Sequence, residues 1–102
     1  MIYITEWKPL ATESYFEEMN FILSKWNEYE VQKFEDLGYD YLKTLSKTPT
    51  IGNFKSEFNC YSIVISKQTT LFYKIIEEKS QIDLVLFWNN SQNPNLLSNL
   101  LK

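Results

Sequence analysis

With 102 residues, 17% of them aromatic, the chain can bury a core without disulfides or a structural metal, and it is too aromatic for a disordered tail. Its ten basic residues are all lysine, histidine is absent and the formal charge is −3; these facts exclude histidine-ligated metal sites, a planar guanidinium clamp on phosphate, and the imidazole that most acid–base chemistry near neutral pH employs. A lone Cys60 rules out an intrachain disulfide and suits a reducing compartment, while Gly38 and Gly52 are too few for a glycine-rich phosphate loop.

The opening MIYITEWKPL carries charge early and lacks the apolar run of a leader or a membrane span, so a cytoplasmic protein with no membrane partner is expected. Ile2 to Thr5 is β-prone and predicts a short strand. Beyond Pro9, Tyr15, Phe16, Met19, Ile22, Leu23 and Trp26 recur at three and four, the stripe of a helix, and Ser14 with Glu17 has capping-box spacing for its start. Asn27 and Glu30 repeat that spacing. Val31, Phe34, Leu37, Gly38, Tyr41, Leu42 and Leu45 then predict a second helix to about Ser46, antiparallel to the first, which Pro49 and Gly52 in KTPTIGN end.

From Phe58 the period is two. Phe58 to Ser66, Thr69 to Ile76 and Ile82 to Trp88 predict a three-stranded meander, turned at Lys67-Gln68 and at EEKS. In the last strand Ile82, Leu84, Leu86 and Trp88 share the face expected to meet the helices, and Asp83, Val85, Phe87 and Asn89 share the other. Leu96, Leu97, Leu100 and Leu101 suit one amphipathic turn. The expected fold is a single α+β domain spanning 1–102, β-α-α-β-β-β, an antiparallel sheet with a helical hairpin packed on one face.

That order of elements, with KWNEYEVQKF (25–34), LSKTPTIG (45–52), KQTTLFYKI (67–75) and LFWNNSQNPNLL (86–97), resembles the RelE/ParE superfamily of type II toxins, in particular the plasmid-stabilisation proteins of Bacteroidetes-like bacteria. The resemblance covers nearly the whole chain. It implies a growth-inhibiting toxin neutralised by a cognate antitoxin, as a monomer, a homodimer or a toxin–antitoxin hetero-oligomer. RelE-like members are mRNA interferases that cut messenger RNA on the ribosome with basic and tyrosine side chains; ParE-like members poison DNA gyrase.

Such relatives carry arginine near Tyr61 and Ser62, histidine at Gln68, arginine at Lys74, aspartate at Asn89 and arginine at Ser91. Here most of those charges are gone. The catalytic candidates that survive are Lys67, Lys74, Tyr73 and Tyr61, with Lys55, Gln68, Asn89, Asn90, Ser91 and Gln92 as binding candidates and no cofactor or metal. An RNA-cleaving enzyme weakened or lost, a catalytically inactive protein-binding module and a gyrase inhibitor all remain open, and an excess of acids argues against a phosphate-rich target.

Each candidate has a plainer role beside it. Lys67 and Gln68 suit a hairpin turn, Asn89 to Gln92 suit a turn that ends the sheet, and either Phe72 or Tyr73 must be core because they alternate. Lys74 suits a solvated position and Cys60 a small buried hydrophobe. Glu17, Glu18, Glu77 and Glu78 are expected to face solvent, and Trp7, Trp26 and Trp88 to fill the helix–sheet core.

Overall fold

The structure, a computed structural model, describes residues 2–101. In chain order it contains β1 (Ile4–Trp7), α1 (Pro9–Lys25), α2 (Glu28–Lys47), β2 (Asn53–Lys55), β3 (Cys60–Val64), β4 (Thr69–Ile76), β5 (Gln81–Asn89) and α3 (Pro94–Leu101). The five strands form one sheet in the order β1-β5-β4-β3-β2. The α+β class and the helical hairpin agree with the expectation from sequence. The sheet itself is mixed: β2 to β5 are antiparallel neighbours, but β1 runs parallel to β5. The helix pair is the crossover that parallel pairing demands, carrying the chain from β1 to the far edge before the meander returns it to β5.

Pro9 occupies the first turn of α1, where a fixed φ and a missing N–H cost nothing. It starts the helix well before Ser14, which is therefore no cap. Ser14 lies inside the helix, donates to the Leu10 carbonyl at 2.7 Å and accepts from the Phe87 amide at 2.9 Å. Asn27 does cap α2, its Oδ1 accepting from the Glu30 amide at 3.0 Å. The inner stripe of α1 is Ala11, Ser14, Glu18 and Ile22, not the one its largest side chains suggest; Phe16, Leu23 and Trp26 are exposed. Small residues at positions 11 and 14 let the helix lie close enough for the Ser14 hydroxyl to reach the β5 backbone.

Beneath the hairpin, Leu71, Tyr73, Ile82 and Leu84 are fully buried with Ala11, Ile22, Phe34 and Leu45. Trp7 stacks on Phe87 at 5.4 Å between ring centres, and Tyr15 meets Trp7, Phe34 and Phe87. A second, smaller cluster on the opposite face holds Cys60, Phe72, Leu86 and Trp88, covered by Phe58, Leu97 and Leu101.

The division of β5 between these clusters corrects the expected alternation. Phe72 pairs with Leu86 while Tyr73 pairs with Leu84, so Val85 is an extra residue in the ladder. This bulge shifts the phase. Ile82 and Leu84 face the hairpin, but Leu86 and Trp88 face away, and Phe87 and Asn89 turn toward α1.

Candidate functional site

The catalytic candidates do not converge. Tyr73 is fully buried on the hairpin side, its hydroxyl donating to the Pro49 carbonyl at 2.7 Å and accepting from the Gly52 amide at 3.1 Å. Burial pushes that hydroxyl above its ordinary value, partly offset by the Gly52 amide and reinforced by Tyr61. Tyr61 stacks on Tyr73 at 5.5 Å on the same face. Lys74 follows Tyr73 in an extended strand and so points the other way. Lys67 sits in the β3–β4 turn at the other end of β4, roughly 20 Å from Lys74 at about 3.3 Å of rise per residue.

The polar exit from β5 is a hydrogen-bonded lock. Asn90 donates from its backbone to the Gln68 carbonyl at 2.7 Å and from Nδ2 to the Lys67 carbonyl at 3.2 Å, and its Oδ1 accepts from the Thr70 hydroxyl at 2.8 Å. Asn89 Oδ1 accepts from the amide and the hydroxyl of Ser91, and the Gln92 amide donates to the Asn89 carbonyl. Asn93 then caps α3 by accepting from the Asn95 amide at 2.9 Å, with Pro94 in the first turn. Lys67, Gln68, Asn90, Ser91 and Gln92 thus gather at one end of the sheet. The tight turn joining two strands and a helix explains their polarity.

A cross-strand row lies on the face away from the hairpin. Lys55 pairs with Cys60, Lys74 pairs with Asp83 and Glu6 also pairs with Asp83. Lys8 Nζ stands 3.7 Å from Asp83, whose other oxygen accepts from Gln81 at 2.6 Å. Lys55 and Lys74 are further cations of this face. Cys60 between them is buried, and burial pushes its thiol up against the opposing pull of Lys74, so it is not a nucleophile poised as thiolate. The row can hold an anion by charge. It contains no histidine, and among the described residues no cluster of three metal-ligating side chains exists.

Contrary to the expectation from the sequence, Glu18 does not face solvent. It is buried, its carboxylate accepting from the Thr69 hydroxyl and, at 3.0 Å, from Asn89 Nδ2, and it ties α1 to the ends of β4 and β5. The available signal was its alignment with Ala11, Ser14 and Ile22 at helical spacing. Glu17, Glu77 and Glu78 do face solvent, and Trp26 is half exposed instead of core. Glu18 also lines a trough of about 480 Å³ between α1 and α3.

A mixed sheet β1-β5-β4-β3-β2 with a helical hairpin on one face and a C-terminal helix on the other is the RelE fold. The chain is similar over 96% of its length to 94% of a free double mutant of the E. coli toxin RelE, at 16% identity and TM-score 0.62. It is also similar to chains in two toxin–antitoxin complexes, RelBE2 from Mycobacterium tuberculosis (15% identity, 87% and 99% of the two chains, TM-score 0.59) and intact E. coli RelBE (16%, 88% and 99%, TM-score 0.60). No family model and no curated protein matches by sequence. No helix among the described residues is long and apolar enough to cross a membrane.

Proposed function

We propose that this chain is the toxin half of a cytoplasmic type II toxin–antitoxin pair, held by a cognate antitoxin. The supporting observation is correspondence with RelE over nearly the full length of both chains, in a fold shared with chains of two toxin–antitoxin complexes. Its target contact is the sheet face opposite the hairpin, where Lys55 and Lys74 supply the positive charge. Ribosome-dependent mRNA cleavage is weakened or lost on this reading. Transesterification needs proton transfer and charge stabilisation around one phosphate, and here the tyrosines and lysines stand on different faces.

A scaffold that binds an antitoxin without being toxic is the second reading, favoured by the commitment of Tyr73 to Pro49 and Gly52. Induced expression separates the two. Under the first, the chain alone arrests growth, the protein encoded beside it in its operon restores growth, and Lys55→Ala/Lys74→Ala relieves arrest while the thermal melt is unchanged. Absence of arrest at confirmed soluble expression selects the scaffold. Arrest with intact messenger RNA in primer-extension mapping removes the nuclease and points to a protein target such as gyrase.

A further inference from the structure

On the hairpin side of the sheet, three aromatic rings from three elements meet at the end of β1. Trp7 stacks on Phe87, and Tyr15 of α1 stands across both, at 76° to Trp7 and 61° to Phe87 with ring centres 5.2 and 5.1 Å away. This corner forms one side of a pocket of about 350 Å³, toward the small end of the range for small-molecule sites. The other side is α2, which brings Glu35, Asp36, Gly38 and Tyr39. Gly38 sits inside a 20-residue helix, where glycine is a poor helix former, yet a Cβ there would meet nothing within 4 Å. No close approach of a neighbour calls for this glycine; what its missing side chain leaves is the open volume of the pocket.

Charge selects the occupant. Two carboxylates and no lysine line this space, and among the described residues neither Glu35 nor Asp36 belongs to an ion pair. Asp36 accepts from the neutral Gln32 amide at 3.1 Å. Burial, and then the Glu35 charge, push the Tyr15 hydroxyl above its ordinary value, so the negative field of Glu35 reaches the aromatic corner. At the exposed rim, Lys43 Nζ stands 5.3 Å from the centre of the Tyr39 ring. We propose that the pocket between α2 and the Trp7–Tyr15–Phe87 corner binds a small organic cation whose nitrogen carries alkyl groups, of the quaternary ammonium class. The rings take up alkyl surface and positive charge together, and Glu35 and Asp36 neutralise the charge that remains. A primary ammonium is more strongly hydrated and loses more on leaving water. An anion is repelled by the same two carboxylates. The pocket lies across the sheet from Lys55 and Lys74 and stands whether or not the chain is a toxin.

The probe is choline, titrated into the full chain beside its uncharged analogue, which carries a tert-butyl group in place of trimethylammonium. Choline is expected to shift the Trp7 indole N–H and the amides of Tyr15 and of 35–39 in NMR spectra. The uncharged analogue should bind about tenfold more weakly, the share that the cation contributes against desolvated rings. Gly38→Leu puts a side chain into the open volume while favouring the helix, and should lower choline affinity more than tenfold with no fall in melting temperature. Glu35→Gln, at a partly exposed position, tests the charge without depending on how leucine fits at 38. It should lower affinity about fivefold, and added salt should weaken the parent more than this variant. Equal binding of choline and the uncharged analogue overturns the proposal, because the pocket would then be merely apolar. So do shifts that map elsewhere, no shift at tens of millimolar choline, or a folded Gly38→Leu that binds as the parent does.

Discussion

The two faces of the sheet are finished to different degrees. Under the hairpin, Leu71, Tyr73, Ile82 and Leu84 are completely buried and the one hydroxyl among them has both its partners. On the other face, Cys60, Phe72, Leu86 and Trp88 are covered by Phe58, Leu97 and Leu101, themselves only partly buried, and the neighbouring row is Lys55, Lys74 and Asp83. The contrast teaches that stability is concentrated on one side, leaving the other, with its short helical cover, free to vary in charge and contacts. It also gives the fold-level likeness to RelE a physical basis at only 16% identity, because the hairpin face needs apolar volume and not particular residues.

The largest test of this asymmetry compares truncations. Leu84→Ala, in the hairpin core, is expected to cost about 3 kcal/mol by urea denaturation. Leu97→Ala, in the α3 cover, should cost about 1 kcal/mol because its side chain is only partly removed from water. Equal costs would mean that α3 is as integral to the core as β5. Next comes Gly52→Ala. A Cβ there would meet the Tyr73 hydroxyl at 2.6 Å and the Ser62 carbonyl oxygen at 2.7 Å, and the backbone side of that clash cannot swing away. About 2 kcal/mol of destabilisation is expected, read from the same denaturation curve.

Tyr73→Phe should cost about 1 to 2 kcal/mol, since the Pro49 carbonyl and the Gly52 amide lose a buried partner. Tyr61→Phe should change little. The pair has a pH signature as well. Tyr73 holds its proton more tightly folded than unfolded, so its contribution is full below the ordinary value of 10.0 and is lost as pH rises through the higher folded value. Alkaline melts of Tyr73→Phe should therefore fall less steeply above pH 10 than those of the parent; parallel curves would show that this hydroxyl is not what alkali ionises first.

These residues also show what was legible beforehand. The second helix was readable because Asn27 caps it and its stripe is regular, and β4 was readable because both ends carry turn residues. The face of α1 was not. Large apolar residues surround that helix, and close approach to β5 selected the small side chains and Glu18 for the inside. The bulge at Val85 was equally hidden, since an unbroken apolar run from Leu84 to Trp88 carries no mark of a phase shift. β2 is too short to display alternation, and the parallel pairing of β1 is decided by partners at the other end of the chain. The four catalytic candidates were grouped by likeness to a family; the strand alternation that parts Tyr73 from Lys74 was already present in their adjacency.

The smallest energetic effect gives the sharpest reading of the cover itself. Cys60 is buried within the cluster that Leu97 and Leu101 overlie, and its thiol is pushed up by burial before Lys74 pulls it back. Alkylation by iodoacetamide near neutral pH is therefore expected to be slow, because the reagent needs a thiolate and access together. If α3 lifts as a local unit, Leu97→Ala weakens its hold by about 1 kcal/mol and raises the open fraction, hence the labelling rate, about fivefold. Leu96→Ala, on the trough side of the same helix, should leave that rate unchanged. Acceleration by both substitutions would mean that α3 opens through general unfolding, and the comparison between the two faces would then lose its dynamic half.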